Sequence, residues 1–233
     1  MTRNEYIKNI RKLYSLSKLL SDKNDCTVLL LKHKTLDKKL VLRSFGEKIA
    51  AYDELLSVNC ENLPLIYDSI TLDDGQIVLE EYIEGLTVDE IMQSGRYRFK
   101  GAVRVIGAVC NALCVLHGSD IVHRDIKPQN IIVDKNGRVV LLDLNASRRI
   151  SDASKDTVIM GTVGYASPEQ LGVTQSDKRT DIYALGVLMN VMLTGEHPSV
   201  KIAKGRSGRI VRKCTSINPK DRYQSVKELL NAL

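Results

Sequence analysis

The sequence predicts an α+β chain in two parts, and three observations carry that prediction. Up to about residue 79, apolar residues fall in short β-rich runs separated by turn signals. From Gly85 onward they recur at intervals of three and four, the spacing of a helix with one buried face. The composition supports a packed core, since 43% of the 233 residues are hydrophobic and 27% charged, a globular balance that argues against disorder.

The elements follow in order. The start, MTRNEYIKNIRKLYSLSKLL, is amphipathic, with no apolar run of signal-peptide length. Residues 27–34 (TVLLLKHK) and 39–45 (KLVLRSF) read as strands joined by the turn Thr35-Leu36-Asp37-Lys38. Ile49, Ala50, Leu55, Leu56 and Val58 suggest a helix within 46–58. Residues 66–70 and 76–82 bracket Asp73-Asp74-Gly75, a hairpin signal. Residues 88–93 read as a short helix. Residues 99–117 read as a long one, with Val103, Ile106, Cys110, Leu113, Cys114 and His117 on one face. Two short strands, 130–133 and 139–142, flank the turn Asp134-Lys135-Asn136-Gly137, and 145–162 reads as a loop. Residues 181–193 are apolar on nearly all sides and suit a buried central helix. A last helix over 225–233 follows Asn218-Pro219 and Asp221.

Composition also bounds function. The net charge of +6 favours anionic ligands or partners. With no Trp and two Phe, aromatic stacking on single strands has little to work with, so no nucleic-acid partner is expected. The odd count of five widely spaced cysteines argues against a disulfide framework and points to a reducing, cytoplasmic setting. Cys110 and Cys114 read as buried small hydrophobes rather than metal ligands. No segment is expected to reach the roughly 20 apolar residues of a membrane span.

The chemistry concentrates between Ile121 and Asp143. A loop, HRDIKPQN over residues 123–130, runs into a strand hairpin ending at Asp143. Asp125, Asn130 and Asp143 offer hard oxygen donors, which suit Mg²⁺ better than zinc. Lys127 adds a positive charge beside them. A divalent cation, a lysine and a further carboxylate together suit phosphoryl transfer, in which charge on the transferring oxygens is offset and a hydroxyl is oriented.

The run HRDIKPQN resembles the catalytic loop of eukaryotic-type (Hanks-type) Ser/Thr protein kinases, with H-R-D-x-K-P-x-N present at every fixed position. The resemblance extends along the chain. Asp143-Leu144-Asn145 stands where the family has Asp-Phe-Gly. Residues 161–169 (GTVGYASPE) resemble the end of an activation segment. Residues 181–186 (DIYALG) resemble the start of a buried helix, Arg222 matches the arginine that pairs with Glu169, and 79–85 (LEEYIEG) resemble an adenine-binding hinge. The resemblance implies a bilobal kinase-like fold with a small lobe over 1–79, a hinge over 80–85 and a large lobe over 86–233. ATP and Mg²⁺ would lie in the cleft. Asp125 would orient the substrate hydroxyl and Lys127 would meet the γ-phosphate, as in the Ser/Thr class. Asn130 and Asp143 would hold the metal, and Glu80 and Tyr82 would belong to the adenine-binding hinge. Arg124 would be available to pair with a phosphate, with Thr157 and Thr162 as candidate carriers. His123 would support the loop.

The small lobe departs from the pattern. In the register fixed by Val28 and Arg43, the three glycine positions of the phosphate loop are Ser21, Lys23 and Cys26, and 20–28 (LSDKNDCTV) has no glycine. Close backbone approach to phosphate is then costly. Arg43 stands in place of the phosphate-gripping lysine and keeps its charge in a longer, forked form. Ala51 takes the place of its helix glutamate, leaving Glu47 or Glu54 as candidate partners for Arg43, while the loop's Lys23 is a candidate stand-in for the missing strand lysine. Asn145 replaces a glycine and tolerates positive φ better than most residues.

Two readings follow: a Ser/Thr protein kinase with a rebuilt phosphate grip, or a pseudokinase that uses the fold as a scaffold or nucleotide-binding switch. The partner expected is a protein substrate. The run Lys201, Lys204, Arg206, Arg209, Arg212 and Lys213 contains no acid and would also suit an acidic partner.

Overall fold

The computed structural model describes residues 2–23, 25–56, 58–150, 162, 164–171 and 175–233. The expectations for Thr157, Gly161 and Val163 lie outside them. The chain divides into two units, Met1–Cys60 with Pro64–Ile83, and Glu61–Leu63 with Glu84–Leu233. The chain passes from the first to the second for the last time within 80–85, but residues 61–63, expected in the small lobe, belong to the larger unit.

The first unit opens with helix α1, Arg3–Leu13, started by a capping box between Thr2 and Glu5. Strand β1, Tyr14–Lys23, follows directly and runs antiparallel to β2, Cys26–His33, with register shifts between Leu16 and Lys18 and between Leu19 and Ser21. The amphipathic start is thus a helix and an edge strand, and the glycine-free segment is the β1–β2 hairpin. Strand β3, Lys39–Phe45, precedes helix α2, Ala50–Leu55; β4, Ile66–Leu72, and β5, Gly75–Glu81, complete a sheet of order β1-β2-β3-β5-β4. A Cβ at Gly75 would stand 1.9 Å from the Phe45 carbonyl oxygen, so only glycine closes the β4–β5 turn. Tyr6 of α1 enters a core with Leu31, Leu40, Leu42, Ile77 and Leu79, and its hydroxyl donates to Asp68 at 2.8 Å.

The expected helix over 46–58 is six residues long. Ile49 is extended at its start without a side-chain cap, and Leu56 leaves it to form a parallel bridge with Ile66. What fixes α2 is polar. Buried Gln76 accepts from the Ile49 amide at 2.8 Å and donates to Asp53 at 3.1 Å, while Ser69 donates to the same Asp53 oxygen at 2.6 Å.

The second unit begins with β6, Gly85–Thr87, and helix α3, Val88–Gln93, joined by the Thr87–Glu90 capping box. Helix α4, Phe99–Gly118, buries Ala102, Val105, Ile106, Val109, Cys110, Ala112, Leu113 and Leu116. By length and composition alone it is apolar enough to cross a membrane, which corrects the expectation that no segment is; in this unit it is a core helix. Strands β7, Ile121–Val122, β8, Ile131–Asp134, β9, Val139–Leu141, and β10, Arg148–Arg149, form two small sheets, β6-β8-β9 and β7-β10. Asn62 covers the outer edge of β9: its amide donates to the Val139 carbonyl at 2.8 Å, and its carbonyl accepts from the Leu141 amide at 2.9 Å.

Helix α5, Lys178–Thr194, starts three residues earlier than the apolar run suggests, because Asp177 caps it by accepting from the Arg179 amide at 2.7 Å. Helices α6, Gly205–Cys214, and α7, Val226–Ala232, complete the unit. A Cβ at Gly186 would lie 2.4 Å from that of Cys214, so glycine permits the close approach of α5 and α6. The basic run therefore contains a helix. It buries Ser207, Gly208, Ile210, Val211 and Cys214 and leaves Arg206, Arg209, Arg212 and Lys213 exposed.

Candidate active site

The candidate site in the second unit is assembled on the segment between β7 and β9. After β7 the chain runs irregularly to an extended Lys127, makes a single 3₁₀ turn over Pro128–Asn130, and enters β8. Arg124 takes φ +67, left-handed backbone that a non-glycine residue adopts at a cost of about 1–3 kcal/mol. The surroundings over-determine it. Asp181, fully buried on α5, accepts from the His123 amide at 2.9 Å and the Arg124 amide at 2.8 Å. His117 of α4 lies 2.8 Å from the same carboxylate. Gln170 donates to the Arg124 carbonyl at 2.8 Å, and the Arg124 side chain donates to the Ala146 carbonyl at 2.6 Å. Burial raises the Asp181 carboxyl's pKa, but the His117 contact and the His123 amide outweigh burial and hold it below the usual range.

His123 performs the supporting role expected of it. Its Nδ1 accepts from the Asp125 amide at 3.3 Å, so Nε2 carries the proton and donates to the Leu142 carbonyl at 3.1 Å. The Leu142 amide donates to the Asn130 carbonyl at 2.8 Å. Both backbone groups of the residue before Asp143 are thus held by the loop that carries Asp125.

Asp125, Lys127 and Asn130 meet directly. Lys127 Nζ donates to Asp125 Oδ2 at 2.7 Å, and Asn130 Nδ2 donates to the same oxygen at 2.9 Å and to the Asp125 carbonyl at 2.8 Å. The Thr162 hydroxyl sits between the first two residues. It donates to Asp125 Oδ1 at 2.7 Å and accepts from Lys127 Nζ at 2.8 Å. Burial pushes the Asp125 carboxyl up, yet hydrogen bonds from Lys127, Thr162 and Asn130 and the Lys127 charge hold it below its ordinary value. An ionised carboxylate within 2.6–3.2 Å of an aliphatic hydroxyl meets the geometric requirement for orienting that hydroxyl as a nucleophile.

The donor set fits a hard cation. Both Asn130 contacts to Asp125 use its nitrogen, and its Oδ1 accepts no hydrogen bond among the described residues. Asn145 Oδ1, two residues beyond Asp143, is buried without a hydrogen-bond partner among the described residues. Amide and carboxylate oxygens suit Mg²⁺, which takes few protein ligands and completes its shell with water and phosphate. Among the described residues no group of three His, Cys, Asp or Glu could hold a metal, Cys110 and Cys114 included. Burial pushes the Cys110 thiol up to about 12. The left-handed residue of this turn is Asp143, at φ +66, rather than Asn145. This corrects the expectation that position 145 carries the positive φ.

The other sequence-predicted site residues lie in the first unit. Ser21 pairs with Val28 and Lys23 with Cys26 in the β1–β2 hairpin; Val28 is buried, while Lys23 is exposed. Tyr82 is half-buried with the Lys39 ammonium 5.4 Å from its ring centre. Arg43 Nε donates to Glu80 Oε1 at 2.6 Å, a partner outside the expected pair of candidates, Glu47 and Glu54. Glu80 thereby has a side-chain role that the hinge motif does not suggest.

Sequence reasoning assigned no role to Asp181, Gln170 and His117. The signal for Asp181 was a lone acid opening an otherwise apolar helix. The expected pair of Arg222 with Glu169 is present and forked, with contacts of 2.5 and 2.8 Å. Burial raises the Glu169 carboxyl and the Arg222 contacts bring it below its usual range. Arg124, Arg148 and Arg149 line a small pocket with Ser176.

The protein kinase domain model matches residues 23–232. A probable serine/threonine-protein kinase of Clostridium perfringens is 30% identical over 232 residues, covering 88% of this chain and 33% of that protein. The serine/threonine-protein kinase PrkC of Bacillus subtilis is 35% identical over 145 residues, 61% of this chain and 22% of the relative. The serine/threonine-protein kinase PknB of Mycobacterium tuberculosis is 32% identical over 180 residues, 65% and 29%. The chain spans about a third or less of the length of these relatives.

Proposed function

The chain belongs to the protein kinase family, and from that premise we propose that it transfers the γ-phosphoryl group of ATP to serine or threonine hydroxyls of protein substrates. The observation that carries this reading is the Thr162 hydroxyl seated between Asp125 and Lys127. It occupies the relation a substrate hydroxyl requires: donor to a carboxylate and neighbour to a cation.

Asp125 orients the incoming hydroxyl and accepts its proton. Lys127 meets the γ-phosphate oxygens. Asn130 and Asp143 hold Mg²⁺ through oxygen, and Mg²⁺ when bound offsets charge on the phosphate oxygens. Arg43 supplies the cation for the inner phosphates, and the backbone around Glu80–Tyr82, with Val28, receives the adenine. Arg124, with Arg148 and Arg149 beside it, suits a phosphate on the activation segment through charge-assisted hydrogen bonds. The all-basic exposed face of α6 suits an acidic segment of a substrate or partner. Five cysteines outside any disulfide fit a reducing cytoplasm.

The test is a melting shift with ATP and Mg²⁺, followed by transfer of labelled phosphate to a generic protein acceptor. Transfer by the natural chain that disappears in Asp125→Asn is the expected result. Nucleotide binding with no transfer by the natural chain would make it a binding switch instead.

A further inference from the structure

We propose that Glu80 is the positioning residue for Arg43, so that the phosphate-gripping guanidinium is anchored inside the sheet by a carboxylate of the adjoining strand. This rests on the nucleotide reading above and gives that reading its missing part.

The register makes the pair. β3 and β5 are antiparallel neighbours, with Val41 opposite Glu80 and Arg43 opposite Val78. Arg43 and Glu80 are therefore diagonal neighbours on one face, within reach of two long side chains. Both side chains are withdrawn from water, at 9% and 3% exposure, and their contact is 2.6 Å. A buried charge demands such a partner.

Arginine at this position gains a purpose. A lysine has one nitrogen with which to meet both a carboxylate and a phosphate. Arginine offers Nε on its flank and two further nitrogens at its tip. A carboxylate approaching Nε from the next strand is compatible with an anion at the tip. A lysine ammonium meets both from a single centre, whereas arginine separates the two contacts along its fork.

Helix α2 has polar anchors of its own. Ala51 stands where the resemblance puts the helix glutamate and is 3% exposed. Asp53 fastens the helix to β4 and β5 by accepting from Ser69 and Gln76, and pairs with Lys48 at 2.7 Å. The Arg43–Glu80 contact is made between two strands of one sheet, so it does not depend on where α2 lies.

The experiment compares Glu80→Gln, Glu47→Gln and Glu54→Gln in the full chain, reading KM for ATP, KM for the protein acceptor, kcat and melting temperature. Glu80→Gln keeps the shape and removes the charge. We expect it to raise KM for ATP about tenfold or more, the scale of losing a hydrogen bond between charged groups, with KM for the acceptor unchanged. Arg43→Lys is expected to match it, and the double variant to add little to either, as for residues acting as one unit. If Glu80→Gln melts too low to assay, Glu80→Asp, which withdraws the carboxylate by one methylene, should raise KM for ATP without moving that for the acceptor. An ATP KM that stays at the natural value, or that moves as much in Glu47→Gln or Glu54→Gln as in Glu80→Gln, overturns the assignment while leaving the kinase reading intact. Absence of transfer by the natural chain overturns both.

Discussion

The two units treat charge in different ways. In the second, charged and polar groups stand on short irregular segments, and each is held by others: Asp181 fixes the backbone at 123–124, and Asp125 gathers Lys127, Asn130 and Thr162. In the first, the buried Arg43–Glu80 pair lies within regular sheet, fixed by strand register rather than by loop conformation. Loop-built sites need many reciprocal contacts to hold one geometry, whereas a sheet supplies geometry to any pair its register brings together. In the second unit, residues 123–130 keep the H-R-D-x-K-P-x-N pattern at every fixed position. The first replaces glycines, lysine and helix glutamate while still burying a cation beside a carboxylate.

Substitutions can break this contrast. The largest effect is expected for Asp125→Asn, which should lower transfer by about 10²–10⁴-fold, the usual contribution of a proton-transfer group. A loss below tenfold would place the hydroxyl-orienting role elsewhere. Next comes Arg222→Ala, which leaves Glu169 buried without its forked partner and should cost the second unit about 3–5 kcal/mol, read by urea unfolding. A cost under 1 kcal/mol would mean that the pair is not isolated from water.

Acid should separate the units further. Asp125, Glu169 and Asp181 all have carboxyls held below their ordinary values of 3.8, 4.5 and 3.8. Their stabilisation is complete above those ordinary values and is lost as pH falls through the lowered folded-state values. Asp53 of the first unit behaves in the same sense but is more exposed. Amide exchange from pH 6 down to pH 3 should therefore show protection falling earlier in α4 and α5 than in β3 and β5. The reverse order would contradict the contrast. The smallest effect is expected for Tyr6→Phe, which removes the hydrogen bond to Asp68 and should cost the first unit about 1 kcal/mol, measured by the same unfolding experiment.

Some of this was legible in the sequence and some was not, for physical reasons. The segment 123–130 could be read because its chemistry lies within eight consecutive residues. The pairing of Glu80 with Arg43 could not, because it depends on the alignment of two strands 37 residues apart. Helix α2 was read too long because apolar spacing continues past Leu55, where the backbone has already turned to bridge Ile66. Helix α6 was hidden inside a charge run, since its buried face relies on Ser207, Gly208 and Cys214 as well as Ile210 and Val211. Strand β2 is legible in 27–34, but β1 carries no strand signal, because it is mostly exposed and has no apolar face.

The path of residues 61–63 makes the molecule hard to cut. The backbone enters the larger unit at Glu61, leaves after Leu63 and returns at Glu84, so no single cleavage separates the parts with their contents intact. A fragment starting at residue 84 would lack Asn62 and bare the outer hydrogen-bonding groups of β9, an open edge that invites pairing with another chain. Dissecting this chain therefore calls for circular permutation or a grafted tripeptide rather than truncation.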